Sequence, residues 1–307
     1  MENKYVIGGG VSGLVESYYN NCQVIDTQFL GQLNTRFIPG VRLFEYNEKV
    51  VSFIKKIFYE LKEIVIINQQ VIRVGYDYGN YPVRFEANDE FKKAYSLKTR
   101  GKEEYEKSFL SSSKNIYYAI KVDNLDCIDT YQFVFQKLLE LLKRKNLLIK
   151  DKIKAINPVE KSLLCESDHV YQFDDLISTI NLNMLLNILC FVKVEQRQYA
   201  DELRNKLILL PKSFYKLPYY ESIYQYVYSI ANVITRCSYF KDYRVVETNG
   251  EQLDQIIMID ILDKYENLPL QIKDSLNLIE IFGIKLSGRY SQWNHSIKVN
   301  QIIEKYE

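Results

Sequence analysis

The sequence predicts a mixed α/β fold, with a Rossmann-like parallel sheet interleaved with a smaller α+β region that carries an antiparallel sheet. Three observations predict it. The chain opens on an apolar run, a glycine-rich turn, an amphipathic run and a second apolar run ending in an acid. Strand-like and helix-like segments then follow one another along the whole length, the pattern of sheets with helices packed on them. No repeat and no low-complexity linker divides the chain, so a second domain has to be built of interleaved segments.

The opening stretch comes first. Residues 5–7 read as a short buried strand, residues 11–19 as a helix, and Gln23–Asp26 as a second strand. Gly8, Gly10 and Gly13 between them fit G-x-G-x-x-G, in the order that a dinucleotide-binding βαβ unit requires. Gly8 permits the tight turn out of the strand. Gly10 removes the Cβ that would stand between the backbone and a pyrophosphate, and Gly13 lets the helix pack closely on the sheet. The free N–H groups at the helix start face the phosphates, and Ser12 adds a hydroxyl donor. Asp26 stands 18 positions after Gly8, where an acid holds a ribose hydroxyl, with Thr27 beside it. The bland alternative is a glycine-rich turn that binds nothing.

Further along, residues 27–36 form a polar loop. Residues 47–61 place Val50, Val51, Phe53, Ile54, Ile57, Phe58 and Leu61 at helical spacing, with Asn47 as N-cap. Residues 63–74 read as strand, turn, strand, and residues 73–85 as a hairpin turning at Gly79-Asn80. Residues 88–115 are charged and polar, a solvated helix and a loop. A periodic helix follows over 130–143, a strand pair over 153–156 and 162–165, a strand running into a turn over 171–180, and a helix from 184. Strands are expected over 219–229, 231–236 and 243–247, a mixed segment over 254–265, and a buried strand ending at 286. A loop from residue 287 opens the final helix, 299–306. The expected division is residues 1–60, 116–190 and 270–307 in the nucleotide-binding domain, and 61–115 and 191–269 in a substrate or cap domain.

Composition excludes several classes of function. At 307 residues, 47% apolar and 26% charged, the chain can bury a large core. A net charge of +1 provides no field for nucleic acid or an anionic membrane, unless Lys and Arg cluster on one face. The glycine motif begins before a signal-peptide core could fit. The longest apolar stretch, residues 184–194, is broken by Asn187 and Lys193 and is too short to span a bilayer. Five cysteines, none in C-x-x-C spacing, fit a reducing compartment, so a cytoplasmic location is expected. Two histidines rule out a His-rich metal site and argue against a serine-hydrolase triad; no metal is expected. The expected partner is a small-molecule substrate, with the oligomeric state open.

Four separated pieces resemble the FAD-dependent amine oxidase, protoporphyrinogen oxidase and UDP-galactopyranose mutase superfamily. They are residues 7–14 with Asp26; Leu30-Gly31-Gln32-Leu33 with Arg42; residues 171–182; and residues 288–297, a G-R-(Y/F)-x-x-W-like segment. The resemblance implies FAD in an extended pose, with the flavin at the interface to the second domain. It implies cofactor contacts from the glycine motif, Asp26, Thr27, Gly31, Gln32, Leu33, Arg42, Thr179, Gly288, Arg289, Trp293, Ser296 and Ile297. Arg289 would offer forked donors to phosphate. Trp293 would wall the flavin or fill the core. Backbone N–H groups at Ser296 and Ile297 would hold the flavin carbonyl edge. Catalytic residues stay unassigned, since the cofactor carries the chemistry; Arg236, His295 and Lys98 are the candidates for substrate contact or proton transfer.

The activity implied is hydride transfer from a small or nucleotide-linked substrate to flavin. The alternatives are a redox-neutral mutase, a nucleotide- or base-modifying flavoenzyme, and a scaffold without catalysis.

Overall fold

The computed structural model describes residues 3–34, 43–77, 82–83, 116–191, 193–207, 209–210, 213–218, 225–229, 234–239, 243–248, 268–269, 282–294 and 297–307. The strands are β1 (Lys4–Ile7), β2 (Gln23–Asp26), β3 (Ile67–Asp77), β4 (Pro82–Val83), β5 (Ile116–Val122), β6 (Leu148–Lys150), β7 (Ile153–Asn157), β8 (Ser162–Cys165) and β9 (Val170–Gln172). They continue with β10 (Asp175–Ser178), β11 (Leu209–Leu210), β12 (Ser213–Pro218), β13 (Gln225–Ser229), β14 (Ile234–Tyr239), β15 (Tyr243–Thr248), β16 (Leu268–Pro269) and β17 (Ile284–Leu286). The helices are α1 (Val11–Asn20), α2 (Glu48–Leu61), α3 (Cys127–Arg144), α4 (Leu182–Ile188), α5 (Val194–Lys206) and α6 (Val299–Glu304).

The first sheet has five parallel strands in the order β17-β10-β1-β2-β6. Its strands are short and apolar because both faces are covered. On one face, Leu14, Phe53, Phe135, Leu138 and Ile302 from α1, α2, α3 and α6 pack on Val6, Val24 and Ile177. On the other face, Leu163, Leu185, Leu203 and Trp293 pack on Ile7, Ile25, Leu176 and Ile284. From β1 the order proceeds through β2 to β6 on one side and through β10 to β17 on the other. The reversal between β1 and β10 is the crevice where open α/β sheets bind ligands.

The second sheet is mainly antiparallel, in the order β12-β15-β14-β13-β3-β4, with β5 on β3. One contact in it is parallel, β13 on β3, from Gln225 opposite Arg73 to Ser229 opposite Asp77. A three-stranded meander β7-β8-β9 and the two-stranded pair β11-β16 complete the sheets.

Most elements form where the sequence places them. Asn47 caps α2, its side chain accepting from the Lys49 N–H at 2.8 Å. β3 and β4 pair antiparallel, with Tyr76 opposite Val83 and Asp77 opposite Pro82, while the expected turn at Gly79-Asn80 lies outside the described residues. Several expectations are corrected. Residues 63–74 are not strand, turn, strand; β3 runs unbroken because its first half pairs with β5 and its second with β4 and β13. Residues 116–122, expected with the nucleotide-binding segments, pair with β3 in the second sheet. Helix α5 and strand β12 have no counterpart in the sequence reading. Ala200 and Leu203 of α5 pack with the parallel-sheet core, although residues 191–269 were expected in the cap. The segments 88–115 and 254–265 lie outside the described residues.

Candidate nucleotide-binding site

The glycine turn sits at the carboxyl end of β1. Gly8 has φ +101°, a conformation that side chains rarely adopt. A Cβ there would lie 2.6 Å from Thr179 Oγ1. A Cβ on Gly13 would lie 1.7 Å from the Gly8 carbonyl oxygen, so only glycine lets α1 leave the strand at this angle. A Cβ on Gly9 would meet the Phe29 ring at 2.6 Å. Gly10 differs: its Cβ would meet nothing within 4 Å. Three glycines are therefore demanded by the chain's own packing, and the fourth faces open space at the head of a helix.

Gly10 caps α1 without a side-chain hydrogen bond, and the first turn carries no acid. The Val11, Ser12 and Gly13 N–H groups thus precede the first helical bond, Leu14 N–H to Gly10 O at 3.0 Å, and the helix dipole adds to their positive end. Asp26 closes one side of the turn. Its Oδ2 accepts from the Gly9 N–H at 2.5 Å, and its Oδ1 accepts from the Gln28 N–H at 3.2 Å and the Thr27 hydroxyl at 3.3 Å. Each carboxyl oxygen has two lone-pair sites, so capacity remains for a ribose hydroxyl.

The next segment folds back over this turn. Leu30 and Gly31 both have positive φ, +70° and +52°, and the Leu30 N–H donates to the Gly9 carbonyl at 2.8 Å. A left-handed leucine is a local strain held by its surroundings. Gly31 lies beside the glycine turn, where a Cβ on it would stand 3.5 Å from the Gly10 Cα. Leu33 is core: its side chain is buried, its N–H donates to Leu30 O, and its carbonyl accepts from Gln132 Nε2. The backbone of Gln32 lies in the same 3-10 turn.

Thr179 and Gly288 close the other side. The Thr179 hydroxyl donates to the Ile7 and Gly8 carbonyls at 3.0 and 2.9 Å, so it braces the turn and does not face outward. Gly288 has φ +87°, and its Cβ would lie 2.6 Å from Ser12 Oγ. The segment after β17 therefore lies directly on the first turn of α1. Arg289 follows it, half-buried, with Nε donating to Ile297 O at 3.4 Å.

Two expectations are corrected here. Trp293 walls nothing: it is 1% exposed within the core beneath the sheet, so no ring face is left for a cofactor, and its Nε1 finds no partner among the described residues. The Ile297 N–H already donates to the Asn294 carbonyl at 3.3 Å, which removes it as a free donor. Arg42, Lys98, His295 and Ser296 lie outside the described residues. Arg236 stands on β14 opposite Glu247, beside a register shift; its side chain is outside the described residues.

Sequence reasoning missed two members of the site. Gly9 escaped because its constraint is the Phe29 ring, which no spacing rule announces. Glu16, on the second turn of α1, is 1% exposed. Its Oε1 accepts from the Ser287 hydroxyl at 2.5 Å, and its Oε2 from the Tyr306 hydroxyl at 2.5 Å and Asn20 Nδ2 at 3.1 Å. Burial, with the bond to Glu16, pushes the Tyr306 hydroxyl up to about 12, which keeps it a donor at neutral pH. Burial likewise pushes the Cys22 and Cys127 thiols up to about 12, so neither is a nucleophile. Among the described residues no acid, thiol or histidine cluster could hold a metal, and no helix is long and apolar enough to cross a membrane.

No family model matches the sequence, and no curated protein matches it. Solved structures match throughout the chain. Reduced UDP-galactopyranose mutase is 10% identical, over 100% of this chain and 95% of that one, with a TM-score of 0.66. The chain has that fold. A CLA-producing fatty acid isomerase from P. acnes is 10% identical over 99% of this chain and 97% of its own, TM-score 0.63. Putrescine oxidase bound to putrescine is 10% identical over 99% and 98%, TM-score 0.58. Two of the three fall within the group that the sequence motifs resemble, and the shared architecture is the expected parallel sheet with a second, antiparallel one.

Proposed function

We propose that this protein is an FAD-dependent enzyme, an oxidoreductase of amine-oxidase-like type. The observation that carries this is the glycine cradle: Gly8, Gly9 and Gly13 are pressed against the chain, while Gly10 faces open space at the switch point between β1 and β10. Such a cradle at a helix N-terminus fits a pyrophosphate. Bound FAD would supply a two-electron acceptor for a hydride. The chain's own residues would bind and orient it. The first-turn N–H groups of α1 would receive the pyrophosphate, and Asp26 would accept a ribose hydroxyl. Gly288 and Arg289 would cover the phosphates from the side of β17, the guanidinium supplying charge. The second sheet would then hold a small or nucleotide-linked substrate, with Arg236 as a candidate contact. A cytoplasmic location belongs to the same reading, as does a discontinuous two-domain division in which residues 116–122 join the second sheet and α5 joins the nucleotide-binding core.

A second reading is redox-neutral: a flavin-dependent rearrangement. It is favoured by two of the three solved relatives in fold, which are named as a mutase and an isomerase.

The test is the visible spectrum of purified protein before and after adding FAD, with released cofactor identified by mass. A bound flavin is expected. A colourless chain that ignores FAD but binds a nicotinamide nucleotide overturns the proposal. With flavin bound, bleaching by a panel of amines without oxygen selects the oxidoreductase. Turnover of a nucleotide sugar only after chemical reduction of the flavin selects the rearrangement.

A further inference from the structure

Glu16 is a carboxyl group buried on the helix that begins the nucleotide cradle, and it is engaged at both oxygens. Burying such a group is costly unless its hydrogen bonds are made, and here they are made by residues far away in sequence. Ser287, 271 positions later, holds Oε1; Tyr306, 290 positions later, holds Oε2. Asn20 joins the Tyr306 side, its Nδ2 reaching Glu16 Oε2 at 3.1 Å and the Tyr306 hydroxyl at 3.0 Å, and Lys305 Nζ lies 3.8 Å from Oε1.

The placement of Ser287 gives this network a consequence beyond packing. Ser287 directly precedes Gly288, where a Cβ would lie 2.6 Å from Ser12 Oγ in the first turn of α1. The Ser287 N–H is itself tied to the Ser178 carbonyl at 2.9 Å, so that residue is held from the sheet through its backbone and from the helix through its side chain. The spacing between the first turn of α1 and the Gly288–Arg289 backbone is thereby set from one turn further along the same helix.

We infer that Glu16 is a positioning residue for the cofactor: through Ser287 it holds the Gly288–Arg289 backbone against the first turn of α1, beside the place where a bound pyrophosphate would lie. This rests on the FAD reading above. Glu16 touches no cofactor itself and acts through the Ser287 hydroxyl.

The experiment is a double-mutant cycle read in two quantities, the melting temperature without FAD and the dissociation constant for FAD of the folded protein. The variants are Glu16→Ala, Ser287→Ala and the pair, with Glu16→Gln as the conservative variant and Gly10→Val as a cradle control. Glu16→Ala and Ser287→Ala are each expected to weaken FAD by about tenfold. The pair is expected to be no weaker than either alone, because both remove one link. Glu16→Gln is expected to bind more tightly than Glu16→Ala, since an amide keeps an acceptor. Variants with a lowered melting temperature and the wild-type dissociation constant would show a purely structural carboxyl and overturn the inference, as would additive losses. These outcomes differ from failure of the underlying reading, in which the wild type binds no FAD or Gly10→Val binds it as well as the wild type. If Glu16→Ala does not fold, Ser287→Ala alone carries the test, because a missing hydroxyl leaves the helix intact.

Discussion

A side chain at position 10 meets nothing of the chain within 4 Å, whereas one at position 13 would lie 1.7 Å from the Gly8 carbonyl. The same residue type therefore answers two different demands. Gly10→Val is expected to melt within about 2 °C of the wild type and to lose FAD binding by at least about a hundredfold, seen in a flavin titration. Gly13→Ala is expected to cost about 1–3 kcal/mol or more, as overpacking does, and to lower the melting temperature whether or not FAD is present. Trp293→Ala, by contrast, is expected to cost about 3–5 kcal/mol by leaving a core cavity, with unfolding by urea as the readout. Position 10 was legible in the sequence because the motif links a residue type to a backbone approach. The role of Trp293 was not, since a single tryptophan beside a site residue has the same spelling whether it faces a ligand or the core. Ser287 was illegible for the same reason: it is an ordinary polar residue until the fold brings it 2.5 Å from Glu16.

At the scale of elements, the caps and ion pairs that join strands and helices give two checks. Asn47→Ala removes the α2 cap and the bond from Nδ2 to Glu304 Oε1 at 2.9 Å. It is expected to destabilise by about 1 kcal/mol, as a small fall in melting temperature. Asp175 opens β10 and pairs with Lys4 on β1 at 2.9 Å and Lys285 on β17 at 2.8 Å. Burial pushes its carboxyl up, but the two ammonium groups outweigh that and hold it below the usual carboxylate range. A carboxyl lowered in the folded state adds stability above its unfolded value of about 3.9, and that stability is lost as pH falls through the lower folded value. Asp175→Asn is therefore expected to be less stable at pH 7 and to converge with the wild type by about pH 2, in urea melts across pH. Elements with a strong apolar stripe, such as α2, were read to within a residue of their ends. Helix α5 was missed because it buries only Ala200 and Leu203, and a thirteen-residue segment that is otherwise polar carries almost no periodic signal.

At the scale of the molecule, FAD that binds only the folded chain must stabilise it, by about 2.7 kcal/mol at a hundred times its dissociation constant. The melting temperature is expected to climb with FAD concentration, while adenosine alone gives a smaller rise. The parallel sheet was legible as a whole because its first three elements are contiguous and its motif is local. The second sheet was legible as an antiparallel sheet but not in its pairing: β3 and β13 lie side by side although about 150 residues separate them, which neither segment's spelling reveals. Distance along the chain also bears on how the protein is made. The βαβ unit is not self-sufficient: its Glu16 depends on Ser287 and Tyr306, and its β1 on β10. Contacts of such long range are slow to close, and unfinished chains expose what those contacts later cover. Until Ser287 and Tyr306 dock, the Glu16 carboxyl lacks their hydroxyl donors, so FAD is expected to bind only after these distant segments have closed on the cradle.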